Sequence, residues 1–152
     1  MSYLKISPQV YNQIISFAKS SLDCETGGFL YGRVNPSWVY IGELSGPGPK
    51  ASKTKYGVLF DREYILHFTQ KMLEDNFYVI GTWHTHPPNS GCHPSQTDFQ
   101  TMISFMKHGA IGSPYIFCIT CQNAVNVDTG FFTINASNRI VKIKEFEIGI
   151  GE

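Results

Sequence analysis

The sequence has no run of about 18 consecutive apolar residues, which excludes a long hydrophobic membrane-spanning helix. Its N-terminus, MSYLKISPQV, lacks a charged segment followed by an apolar core, so no secretory signal is expected. Neither sign of charge is in excess: 12 Lys and Arg residues offset 12 Asp and Glu residues. This leaves no broad basic field to gather nucleic acid and no acidic tail. Cysteine is scarce. Cys24, Cys92, Cys118 and Cys121 are too few for a small secreted scaffold. They are read as reduced thiols in a cytoplasmic protein, with no disulfide expected. Internal repeats and low-complexity segments are absent, and 152 residues suit a single domain over 1–152.

What is present has a clear local pattern. Ser7 followed by Pro8 forms a helix-start signal, and Val10, Ile14, Phe17 and Ala18 recur at helical spacing, predicting a helix over about residues 8–21. The runs FLYG and WVYIGEL, separated by Arg33 to Ser37, predict a hairpin of two strands. The Gly27-Gly28 pair before them marks a close approach of backbones. Residues 45–57, SGPGPKASKTKYG, predict the longest loop, with potential to move. Asp61 caps a second helix bearing Tyr64, Ile65, Phe68, Met72 and Leu73, and FYVIGTWH returns as a strand. Phe99, Met102, Ile103, Phe105 and Met106 predict a third helix ended by Gly109, followed by strand-like PYIFCITC, GFFTIN and RIVKIKEFEI. Helices interspersed with hairpin-linked strands predict an α+β or α/β sandwich.

The stretch GTWHTHPPNSGCHPSQTDF, residues 81–99, concentrates the chemistry. On an extended segment His84 and His86 point to one side and Thr85 to the other, so the two imidazoles can share a metal ion. A catalytic zinc takes three protein ligands and leaves its fourth position open. Asp98, twelve residues beyond His86 and one turn into the third helix, is the natural third ligand. Iron, manganese or cobalt could bind the same donors. Singly, each residue also has an ordinary structural explanation, and Ser95 with Asp98 is a capping-box variant. Taken together, His-x-His-Pro, a seven-residue gap and Ser-x-x-Asp form a joint constraint that chance rarely satisfies. Cys92 and His93 fall within the gap and are read as loop residues. Cys118 and Cys121, three apart on a strand, face opposite ways and are read as buried thiols.

His84-Thr85-His86-Pro87 with Ser95-Gln96-Thr97-Asp98 resembles the signature of the JAMM, or MPN-plus, metalloproteases, and Glu25-Thr26-Gly27-Gly28 resembles the glutamate element of their prokaryotic branch. The resemblance implies an α/β, cytidine-deaminase-like JAB/MPN fold: a curved, mostly antiparallel mixed sheet flanked by helices. It further implies Zn2+ held by His84, His86 and Asp98, with Glu25 as general base and Ser95 as oxyanion donor. Glu43, on the second predicted strand, is the other candidate base; the ET-GG context favours Glu25. Trp83 and Phe99 are expected to pack behind the ligands.

The same resemblance implies cleavage after the C-terminal glycine of a ubiquitin-like protein, from a conjugate or a precursor. It suggests a setting like the antiphage operons that carry ubiquitin-transfer-like enzymes. No nucleic-acid or membrane partner is expected. Three alternatives stay open at this level: processing of a ubiquitin-like sulfur carrier, a non-catalytic MPN-minus scaffold, and a structural zinc module.

Overall fold

The computed structural model describes residues 3–108, 115–123 and 126–151, and it begins with a strand that the sequence pattern did not reveal, β1 (Tyr3–Ile6). Four residues are too few to display an alternation, although Leu4 and Ile6 are fully buried. α1 (Pro8–Ser20) follows as expected. Ser7 Oγ accepts from the Val10 amide at 3.4 Å, and Val10, Ile14 and Ala18 form the buried stripe. β2 (Gly27–Val34) and β3 (Trp38–Leu44) make the predicted antiparallel hairpin. Its turn is held by Asn35 Oδ1, which accepts from the Ser37 and Trp38 amides at 2.8 and 2.9 Å.

The segment expected to be an unbroken loop instead contains a small hairpin, β4 (Ser52–Thr54) and β5 (Gly57–Leu59). All three residues of β4 are exposed, so no apolar alternation announced it. α2 (Arg62–Glu74) starts at Asp61, whose carboxylate accepts from the Tyr64 amide at 3.3 Å. The chain continues through β6 (Tyr78–Thr85), α3 (Gln96–His108), β7 (Ile116–Gln122) and β8 (Val127–Ile134). The expected stop of α3 at Gly109 lies outside the described residues. RIVKIKEFEI divides into β9 (Ile140–Lys142) and β10 (Glu147–Ile148), which join opposite edges of one sheet.

That sheet has the order β10-β1-β3-β2-β6-β7-β8-β9. Its β10–β1, β1–β3 and β6–β7 pairs are parallel, and the others are antiparallel. The expected mostly antiparallel mixed sheet with flanking helices is therefore the observed architecture. Alternation along β7 separates two cores. Ile116 and Cys118 join Val10, Ile14, Leu30, Ile41 and Trp83 in the core under α1, while Phe117 and Ile119 join Met102 of α3 and Phe132 in the other.

The cysteines correct the sequence expectation. Cys118 is a free thiol, fully buried in the first core, and burial pushes its pKa up. Cys24 is also free. Cys92 and Cys121 form a disulfide with a Cα separation of 5.9 Å. Cys121 does face away from Cys118, as strand geometry demands, but that places it under the loop carrying Cys92. Sequence distance concealed the pairing, because the partners are 29 residues apart.

Candidate metal centre

The centre is assembled where β2 begins and β6 ends. Gly27 is registered opposite His84 and Gly28 opposite Trp83. A Cβ on Gly28 would lie 2.0 Å from the Ser45 carbonyl oxygen, so the glycine pair permits the close approach anticipated from the sequence. Thr85 faces away from the histidines and locks Glu25-Thr26 to their strand. Its Oγ1 accepts from the Thr26 amide at 2.9 Å, and its own amide donates to Thr26 O at 2.9 Å.

His84 and His86 emerge on the other side, with their Nε2 atoms 3.2 Å apart. Asp98 divides its carboxylate between them: Oδ1 is 3.2 Å from His84 Nε2, and Oδ2 is 2.9 Å from His86 Nε2. A carbonyl oxygen can only accept, so the 3.0 Å contact between His86 Nδ1 and Gly91 O places a proton on Nδ1. In the neutral ring this leaves the Nε2 lone pair directed at another ring nitrogen and a carboxylate. A cation resolves that opposition. With zinc bonds of about 2.0–2.1 Å, neighbouring tetrahedral donors stand about 3.3 Å apart, close to the separations observed. Two imidazole nitrogens and one carboxylate oxygen therefore fit zinc in both spacing and donor type. Among the described residues these three form the one His, Cys, Asp and Glu group gathered closely enough to hold a metal ion.

In the metal-free protein the same geometry governs protons. Burial opposes a charge on His86, but hydrogen bonds to Asp98 and Gly91 and the negative charges of Asp98 and Glu25 outweigh it, so the imidazole pKa is raised. For Asp98, burial favours the neutral acid, but hydrogen bonds from both histidines and the Ser95 amide prevail and hold the carboxyl far below the usual range.

Ser95 forms the expected cap. It precedes α3, its Oγ accepts from the Asp98 amide at 3.0 Å, and its own amide donates to Asp98 Oδ2 at 2.9 Å. This reciprocal cap orients the carboxylate toward the histidines. The Ser95 hydroxyl retains its own proton for donation elsewhere.

Glu25 is buried, with 9 % of its surface exposed, and it shares a cleft with His84 and Asp98. Burial raises its pKa, with the histidines pulling in the opposite direction. Its amide donates to Thr54 O at 2.8 Å, joining the element to the β4–β5 hairpin. Glu43 lies outside this cleft, with its pKa raised by burial and by Asp75. Of the two aromatics expected behind the ligands, Trp83 is fully buried and donates from Nε1 to Ser45 O at 2.9 Å, while Phe99 is only partly buried.

The cleft is a cavity of about 370 Å³. The β5 segment supplies Val58, Leu59 and Phe60, and α3 supplies Met102 and Phe105. Phe29 packs against Phe60 and Phe105 at ring separations of 5.5 and 5.8 Å, so β2 supports both walls. Sequence inspection missed this hairpin wall and the Gly91 carbonyl behind His86. The glycine itself was the available signal, since it adopts φ +81° in a loop between two ligands.

A family model described as prokaryotic homologs of the JAB domain matches residues 7–133. No curated protein matches the sequence. Among solved structures, the solution structure of protein DSY2949 from Desulfitobacterium hafniense is similar, with a TM-score of 0.71 and 15% identity over 95% of this chain and 94% of that one. At that identity the likeness concerns the fold.

Proposed function

The chain belongs to the family of prokaryotic homologs of the JAB domain, and from that premise we propose that it is a zinc-dependent peptidase cleaving after the C-terminal glycine of a ubiquitin-like protein. The observation that carries this reading is the convergence of His84 Nε2, His86 Nε2 and the Asp98 carboxylate within 2.9–3.2 Å beside a buried Glu25. Zinc at these donors supplies Lewis acidity and lowers the pKa of water to about 7.

The protein's own residues perform the remaining work. Glu25 accepts the proton of the attacking water and passes it to the departing amine, as cleavage of an amide with a poor leaving group requires. Burial supports this role by making its carboxylate more basic than a solvated one. The Ser95 hydroxyl donates to the carbonyl oxygen as negative charge develops there. The β4–β5 hairpin borders the cleft, and an extended substrate tail can pair with its edge.

The cavity favours a second reading of the same chemistry, namely trimming of a ubiquitin-like precursor such as a sulfur carrier. Its apolar walls have room for more than terminal glycines. The complete donor set argues against a non-catalytic scaffold, and its stopping at three donors among the described residues argues against a structural zinc module.

The test is zinc analysis combined with cleavage of two substrates, a lysine isopeptide conjugate and a carrier with a short C-terminal extension. One zinc per chain and loss of cleavage in Glu25→Gln are expected. Zinc binding without cleavage of either substrate would overturn the peptidase reading, and the ratio of the two rates decides between deconjugation and trimming.

A further inference from the structure

We propose that Cys92 and Cys121 form a thiol–disulfide modification site that sets the metal affinity of the centre; this rests on the zinc site proposed above. The two cysteines adjoin the groups that hold His86. Cys92 follows Gly91, whose carbonyl accepts from His86 Nδ1 at 3.0 Å. Cys121 lies between Thr120, whose carbonyl accepts from the His86 amide at 2.8 Å, and Gln122, whose carbonyl accepts from the Asn89 amide at 3.1 Å. The disulfide therefore ties the loop supporting one face of the His86 ring to the strand supporting its backbone. It also encloses the segment that carries Ser95 and Asp98, since both lie between its ends.

Accessibility makes the bond addressable. Cys121 is 2 % exposed, whereas Cys92 is only partly buried. A dithiol reductant attacks Cys92 Sγ as its thiolate, forming a mixed disulfide and expelling the Cys121 thiolate, which takes up a proton. The second thiol of the reductant then displaces Cys92 as a thiol. Two electrons and two protons pass to the cysteines, and the reductant leaves as its own disulfide.

Reduction removes the covalent hold on a loop that turns through a glycine at φ +81°. The Gly91 carbonyl is then less firmly presented to His86 Nδ1. Hydrogen-bond partners behind a histidine ligand typically govern about 10–100-fold in metal affinity. Because the Asn89 amide still anchors the loop, the loss expected here is at the lower end, about tenfold.

The experiment measures zinc affinity by competition with a chromogenic chelator. It compares oxidised full-length protein with protein reduced by a dithiol that is then removed under anaerobic conditions, with free thiols counted in each. Reduced protein should bind zinc about tenfold more weakly. The Cys92→Ser/Cys121→Ser double variant should show the weaker affinity under both conditions, and Cys24→Ser should keep the full response. Equal, tight zinc binding in both states of the wild type overturns this inference and leaves the zinc centre standing. A redox response that persists in the double variant overturns it as well. Zinc binding in neither state overturns the centre and this inference together.

Discussion

Gly27 on β2 stands opposite His84 on β6, so close that a Cβ built on the glycine would lie 2.5 Å from the Trp83 carbonyl oxygen and 3.0 Å from the His84 Cβ. The strand that directly follows the proposed base and the strand that leads into the candidate ligands approach at a separation that only glycine permits. Gly27→Val should force them apart, costing about 1–3 kcal/mol of stability by overpacking. Zinc affinity should fall with it. Thermal unfolding and chelator competition on the same preparation check both effects.

Glu25→Gln should abolish turnover while zinc remains bound. In the wild type, kcat/KM should fall on acidification, because the ionised form of Glu25 is the working one; in the metal-free protein burial raises the Glu25 pKa. The stability consequence has the opposite sense. A carboxyl with a raised folded pKa stabilises most below its unfolded pKa, and that contribution is lost as pH rises through the folded pKa. The metal-free Gln variant should therefore have a higher Tm than the metal-free wild type at neutral pH. A lower Tm would contradict this account of Glu25.

Ser95→Ala separates capping from chemistry. Loss of the hydroxyl that accepts from the Asp98 amide should cost about 0.5–2 kcal/mol of stability. Loss of a donor to the developing oxyanion should lower kcat by about 100-fold or more. Zinc should stay bound, because all three donor atoms remain. Steady-state kinetics alongside denaturant titration distinguishes the two losses.

Zinc affinity should weaken as pH falls, because protons compete for the His86 Nε2 lone pair. In the metal-free protein, the raised His86 pKa contributes stability below the unfolded pKa of histidine, which is lost as pH rises through the folded value. Asp98 behaves oppositely: its depressed pKa contributes stability above the unfolded carboxyl value, lost as pH falls through the acid range. Metal-free protein should thus be destabilised by raising pH above the His86 pKa, and added zinc should restore it. Melting curves across pH, with and without zinc, test this.

The candidate ligand set was legible because it depends on local geometry. Residues two apart on a strand share a face, and Ser95 with Asp98 forms a self-contained cap, so neighbouring residues alone reveal His84, His86 and the direction of Asp98. The α1 stripe and the β2–β3 hairpin were legible for the same reason, through periodicity and turn chemistry. Short strands without alternation were not. Neither β1 nor the exposed β4 is long enough to carry a pattern, and each is stabilised by the strand it meets.

By itself, then, the sequence determined the helices, the longer strands and which three residues gather at the candidate metal centre. Tertiary structure alone decided that Gly91 O orients His86, that the β4–β5 hairpin walls the cleft, and that Cys92 pairs with Cys121 rather than remaining a thiol. These are contacts between backbone groups or between distant segments. No side-chain periodicity encodes them, and they exist only once the sheet has brought β6 and β7 side by side.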